Sequence, residues 1–282
     1  MKTVRTIASL RVNLQGWRKF SETIVLVPTM GNLHAGHLSL VGIAGKLADR
    51  VVVSIFVNPT QFGPTEDFAA YPRTLDSDRR QLTGAKVDIL FLPSVAEMYP
   101  HGELGGTVVS VPDLSGILCG AFRPGHFDGV ASVVTRLFNI VQPDTAVFGQ
   151  KDYQQVAIIR RLQADLCLPI RIVVAPTARD PDGLALSSRN QYLDADGRAR
   201  APGMHQALLA CTARLRDGER AFTTLEKRGM ADLATAGFRP DYFAIRNAAD
   251  LGAPTATSQK LVVLAAGHLG RARLIDNVLV DL

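Results

Sequence analysis

Residues 24–41 read IVLVPTMGNLHAGHLSLV. The run Ile24–Val27 has the length and β-branched composition of a strand buried on both faces. Pro28 to Gly31 supply turn chemistry, and the pattern then predicts a helix starting near His34. Strand, loop and helix follow one another within eighteen residues. The same grammar recurs on either side. Val51–Val57, Val87–Leu92, Thr145–Phe148 and Ile170–Val174 read as further buried strands, with amphipathic stretches between them. The clearest has Val130, Val133, Val134, Leu137 and Val141 at offsets 0, 3, 4, 7 and 11, one face of an α-helix. Such alternation predicts an α/β fold, a Rossmann-like doubly wound parallel sheet with right-handed helical crossovers. Ligands of such sheets bind beyond the carboxyl ends of the strands, so the loops after strands carry most of the functional information.

Past Pro176 the pattern changes. A long polar loop leads to helical stretches at Gly203–Leu215 and Thr223–Leu233, then to strand-like runs at Tyr242–Arg246, Leu261–Ala265 and Leu274–Val280. Strands bunched at the end predict a smaller C-terminal α+β domain with antiparallel pairing. The expected domains are residues 1–175 and 176–282.

Composition narrows the function classes. Apolar residues make up 47% and charged residues 20% of the 282, ordinary values for a globular protein. No stretch approaches the ~18 apolar residues that span a bilayer, and Arg5, Ser9, Arg11 and Asn13 interrupt the N-terminal segment. The expectation is a cytoplasmic protein without a membrane partner. Cys119, Cys167 and Cys211 stand far apart, which argues against disulfides and structural zinc and predicts three small buried hydrophobes. The net charge of +5 comes from dispersed basic residues, a bias toward small anions and not a nucleic-acid footprint.

Four junctions carry chemistry. In the first, Gly31 and Gly36 imitate the spacing of a P-loop, but His37 and Leu38 stand where its lysine and hydroxyl belong. What remains is H-x-G-H at a helix start, where free N–H groups and the helix dipole favour phosphate. His34 and His37, three residues apart, share a face, and Gly36 clears space for a flat base. A surface pair or half of a metal site are the other readings of H-x-x-H alone. The second junction, AVFGQKDYQQV at 146–156, places Lys151 as a mobile point charge after Gly149, with Asp152 either at the site or capping a helix. The third, PTARDPDGLALSSRN at 176–190, offers Ser187, Ser188 and Arg189 for phosphate oxygens, with Gly183 in a loop able to close. The fourth, residues 54–74, presents the neutral amides of Asn58 and Gln61 where a substrate would lie. Asp76 and Asp78 read as solvated acids.

The segments PTMGNLHAGHLSLV, FVNPTQF, YPRT, PGHFDGV, FGQKDYQQ and DGLALSSRN, in this order, resemble the pantothenate synthetase (pantoate–β-alanine ligase) family of the HxGH nucleotidylyl-transfer superfamily. The likeness covers roughly residues 23–193. It implies an ATP-dependent condensation of pantoate with β-alanine, through a pantoyl adenylate, to pantothenate, AMP and pyrophosphate. It also implies ATP with Mg²⁺, a homodimer, and a C-terminal lid domain. By motif position, His37, His34, Lys151 and Arg189 would be catalytic. Met30, Gly31, Asn32, Leu33, His34, Ala35, Gly36, His37, Gly149, Gln150, Lys151, Asp152, Ala178, Leu186, Ser187, Ser188 and Arg189 would surround ATP. Gln61 and Gln155 would hold pantoate, with Gln61 also near β-alanine; no metal ligand is assigned. Ala35 stands where the family often has an acid, and Ala178 where valine is usual. Another HxGH nucleotidylyltransferase, or a nucleotide-binding module without turnover, are the competing expectations.

Overall fold

The computed structural model describes residues 1–282 except Thr65, Asp67 and Leu104. Two compact units emerge: Met1–Gly149 with Ile158–Ala175, and Gln150–Ala157 with Pro176–Leu282. Residues 150–157, expected with the first 175, group with the second unit.

Among the described residues the first unit holds six strands: β1 (Lys2–Val4), β2 (Ile24–Thr29), β3 (Arg50–Ile55), β4 (Ile89–Phe91), β5 (Thr145–Gly149) and β6 (Arg171–Ala175). Their order is β1-β4-β3-β2-β5-β6, and every pairing is parallel. β1 has no counterpart in the sequence reading. Three residues, with only Val4 buried, are too short to show a period, and pairing with Ile89–Phe91 makes the strand. Among the described residues, the longer helices that lie wholly in this unit are α1 (Ile7–Arg18), α2 (Ala35–Ala44), α3 (Leu75–Gly84) and α4 (His126–Val141). Helix α5 (Tyr153–Asp165) follows β5. Val25, Val27, Val51, Val53, Leu90 and Val147 of the strands pack with Leu40, Val41 and Ala44 of α2. Burying each of these valine and leucine side chains contributes about 1.5–3 kcal/mol relative to exposure. All five apolar positions read on one face of α4 are buried.

This topology positions the site. From β2 the chain moves to β3 on one side, while β5 lies on the other, so the sheet order reverses between β2 and β5. At such a switch point the loops leave in opposite directions and open a crevice at the strand ends. The H-x-G-H segment follows β2 there, and Gly149 ends β5 beside it.

The second unit pairs three antiparallel strands, β6's successors β7 (Arg239–Asn247), β8 (Lys260–Leu269) and β9 (Ala272–Asp281), with helices α6 (Gly203–Arg216) and α7 (Phe222–Thr235). Leu208, Leu215, Leu225 and Leu233 of the helices cover Phe243, Ile245, Val263 and Leu274 of the sheet. The strands run longer than their apolar cores suggested, because ladder pairing carries polar residues at their ends.

Cys119 and Cys211 are buried, and burial pushes the Cys211 thiol up to about 12, the state of an inert core residue. Cys167 departs from expectation. It is exposed in a left-handed turn, φ 51°, that closes α5. Among the described residues, no helix is long and apolar enough to cross a membrane.

Candidate active site

The helix mouth is built by its own histidines. His34 is the N-cap of α2, and its Nδ1 accepts the Gly36 N–H at 3.1 Å. Reciprocally, the Nδ1 of His37 accepts the His34 N–H at 3.4 Å. Imidazoles thus perform the capping-box role usually given to Ser and Glu. The exchange has a chemical consequence. A nitrogen that accepts carries no proton, so both rings hold theirs on Nε2, the atom pointing away from the backbone. The rings lie 4.1 Å apart, centroid to centroid, tilted by 41°. Two N–H donors are therefore held side by side at the positive end of a helix.

The turn ahead of them is braced by Asp78 on α3, and here the sequence reading needs correction. Asp76 is exposed as expected, but Asp78 is 1% exposed. Its carboxylate accepts the N–H groups of Asn32 and Leu33, each at 2.9 Å, and the Thr74 hydroxyl at 3.1 Å. Gly31 and Asn32 both adopt positive φ, 82° and 50°. Two successive left-handed residues cannot supply regular backbone partners, so the buried carboxylate supplies them. A side chain at Gly31 would be strained by φ and would press on Asp78 and Ile55. A cleft of ≈ 300 Å³ opens beside Met30, bounded by Asn32, Ile55, Phe68 and Val95.

Gln61 sits in a short helical turn after β3, 9% exposed, with its Nε2 donating to the Met30 sulfur at 3.0 Å. Asn58, expected as a substrate-facing amide, is instead a structural hub. Its Nδ2 donates to Gln61 Oε1 and the Gly129 carbonyl, while Oδ1 accepts the hydroxyls of Tyr99 at 2.7 Å and Thr60 at 3.1 Å. The Gln61 carbonyl accepts His126 Nδ1–H at 2.7 Å, and Arg123 in turn donates to His126 Nε2 at 3.0 Å. Arg123 also grips Glu66 through both carboxylate oxygens, at 2.7 and 2.5 Å. Burial would raise the Glu66 carboxyl, yet the Arg123 hydrogen bonds and charge outweigh it and hold that group below the ordinary range. Tyr99, Arg123 and Glu66 carried no signal in the sequence, because nothing local links them to Gln61.

Gly129 on α4 permits this packing. An added Cβ would stand 2.3 Å from the Thr60 carbonyl oxygen and 2.7 Å from the Gln61 nitrogen, both backbone atoms. Gly129→Ala is expected to cost about 1–3 kcal/mol, the usual penalty of overpacking, because the helix or the Gln61 turn must shift. A urea melt unchanged in midpoint would contradict this close approach.

In the second unit, Gln150–Asp152 form a short helical turn leading into α5, which carries Gln155. Ala178 accepts the Leu186 N–H through its carbonyl, and Arg179 bridges Ala185, so residues 178–186 form a small hairpin. Ser187 caps the following turn by accepting the Arg189 N–H at 3.2 Å, which places Ser188 and Arg189 at its start. Arg179 donates to the Gly183 carbonyl at 3.0 Å, and Arg198 pairs with Asp180 and Asp182. Thus Met30 to His37, Gln61 and Gly149 belong to the first unit. Gln150 to Asp152, Gln155, Ala178 and Leu186 to Arg189 belong to the second.

A doubly wound parallel sheet with a helix mouth at its switch point defines the class, an α/β protein that takes its ligands in the crevice beyond the carboxyl ends of the strands. The comparisons then narrow the class. Residues 2–279 match the Pantoate-beta-alanine ligase family, and the chain belongs to that family and is a ligase. It is 55% identical over 282 residues to a pantothenate synthetase of Stutzerimonas stutzeri, covering 100% of this chain and 99% of the relative. A pantothenate synthetase of Thioalkalivibrio sulfidiphilus is equally similar, 55% identical with the same coverage. The crystal structure of pantothenate synthetase from Thermus thermophilus superposes with a TM-score of 0.92 at 46% identity, covering 99% of both chains. A pantoate–β-alanine ligase from Francisella tularensis, complexed with β,γ-ATP and β-alanine, superposes at 0.82 with 34% identity, covering 99% of this chain and 97% of its own.

Proposed function

We propose that the enzyme joins pantoate to β-alanine, driven by ATP, through a pantoyl adenylate. A pantoate carboxylate oxygen attacks the α-phosphorus, the bond to the bridging oxygen breaks, and pyrophosphate departs. The β-alanine amine then attacks the acyl carbon, loses a proton, and AMP leaves with the oxygen that linked it. The carboxylate is already a nucleophile, so the first step needs no general base. Its difficulty is the meeting of two anions and the charge that builds on departing phosphate, so position and electrostatics dominate.

The capped imidazole pair is the observation that carries this reading. With protons committed to Nε2, His34 and His37 are preset as donors to phosphate oxygens and need no reorientation during the reaction. Lys151 and Arg189 supply positive charge. Met30–His37, Gly149–Asp152, Ala178 and Leu186–Arg189 surround ATP. The amides of Gln61 and Gln155 hold pantoate, with Gln61 also near β-alanine. Neutral amides suit a carboxylate that loses its charge on acylation, whereas an arginine clamp would stabilise the ground state. Among the described residues no group of three His, Cys, Asp or Glu side chains could hold a metal. Mg²⁺ in this reading enters with the triphosphate as its counter-ion. A cytoplasmic homodimer belongs to the same reading and rests on family resemblance.

Pyrophosphate release, measured with each substrate omitted in turn, tests the proposal. ATP with pantoate alone is expected to release pyrophosphate, with AMP and pantothenate following only when β-alanine is added. Release that requires β-alanine would overturn the adenylate route.

A further inference from the structure

Strand β9 carries two adjacent polar residues, Asp276 and Asn277, inside an otherwise apolar run, LIDNVLV at 274–280. Both are buried, 5% and 1% exposed. Adjacent residues of a strand project to opposite faces, so one step of chain reaches two places. Asn277 uses its whole amide on the segment after β5. Its Nδ2 donates to the Gln150 carbonyl at 3.0 Å and the Lys151 carbonyl at 2.9 Å, while Oδ1 accepts Gln150 Nε2 at 3.3 Å. Asp276 grips the other segment. Its carboxylate takes two hydrogen bonds from Arg179, at 2.6 and 2.9 Å, and Arg179 in turn holds the Gly183 carbonyl.

A leucine at 277 would fill a sheet position without needing partners, whereas a buried amide is costly unless every polar atom is satisfied. Here the satisfaction comes from the backbone of Lys151 itself. The carbonyls of Gln150 and Lys151 are caught by one amide, which holds the backbone from which the lysine side chain springs. Through Asp276 the same strand fixes the hairpin that precedes Ser187–Arg189. We infer that Asn277, supported by Asp276, is a positioning residue for the phosphate-handling step, acting through Lys151. The inference rests on the proposed role of Lys151.

The test is a double-mutant cycle on Asn277→Ala and Lys151→Ala, read as single-turnover pyrophosphate release from ATP and pantoate. Asn277→Ala is expected to slow release roughly ten- to hundredfold, the scale on which supporting hydrogen bonds matter. The double variant should be no slower than Lys151→Ala alone, because the amide then has nothing left to position. Supplied with preformed pantoyl adenylate and β-alanine, Asn277→Ala should react at the wild-type rate. Multiplying effects in the double variant, or equal slowing of both half-reactions, would mean general loosening and overturn the inference. If Asn277→Ala does not fold, Asn277→Ser keeps one donor and should show a smaller defect with the same non-additivity. A Lys151→Ala enzyme with normal release would overturn the lysine's assignment itself, an outcome distinct from any behaviour of Asn277.

Discussion

Replacing His37 or Lys151 with alanine is expected to slow pantoyl-adenylate formation ~10²–10³-fold, about 2.7–4 kcal/mol of barrier, while ATP affinity falls by less than tenfold. The asymmetry follows from when the charge appears. In the proposed mechanism both groups meet ATP in the ground state, but the oxygens they serve gain negative charge only as pyrophosphate departs, and only the difference in binding accelerates the reaction. Rapid-quench pyrophosphate release and equilibrium ATP binding, measured on the same variants, separate the two quantities. Near-normal release in both variants would remove the assignment. His34 carries a second duty, because its Nδ1 caps α2. His34→Ala should therefore lose about 0.5–2 kcal/mol of stability as well as rate. His34→Asn should recover the cap without recovering the rate, since the shorter amide does not reach as far.

Asp78→Ala is expected to be the most damaging single change to the site's framework. The carboxylate is buried, and its loss strands the N–H groups of Asn32 and Leu33, with Leu33 itself buried. A buried donor left without an acceptor costs about 1–3 kcal/mol, so the pair should lower stability by roughly 2–6 kcal/mol. At ~2–4 °C per kcal/mol, the melting temperature of the first unit should fall by roughly 4–24 °C. Activity should fall further than stability explains, because the turn that aims α2 begins at Gly31. Asp78→Asn keeps one acceptor and should lie between the two. Equal melting temperatures for wild type and Asp78→Ala would show that the turn holds itself.

The contrast between Asp76 and Asp78 shows where sequence reading stops. The two residues are two positions apart, equally charged and both in the first turn of α3. Nothing local says that one faces water and the other the turn ahead of α2, because the deciding partners, Asn32 and Leu33, lie 45 or more positions earlier. Asn58 teaches the same lesson. A substrate-facing amide was the expectation for this loop after a strand, but Tyr99 and Gly129 approach from later elements and consume it. Asn277 left no trace in the sequence, for its role exists only once β9 lies against the segment after β5.

Short-range physics was legible. Alternating β-branched runs and helical periods specified a parallel doubly wound sheet, and the H-x-G-H spacing specified a helix mouth, because strand burial, helix period and capping all act within a few residues. Strand order, the tautomers imposed by reciprocal capping, the brace at Asp78 and the clamp at Asn277 depend on contacts between distant parts of the chain. Those contacts are decided by which faces exclude water together, and only the folded chain brings them to hydrogen-bonding distance.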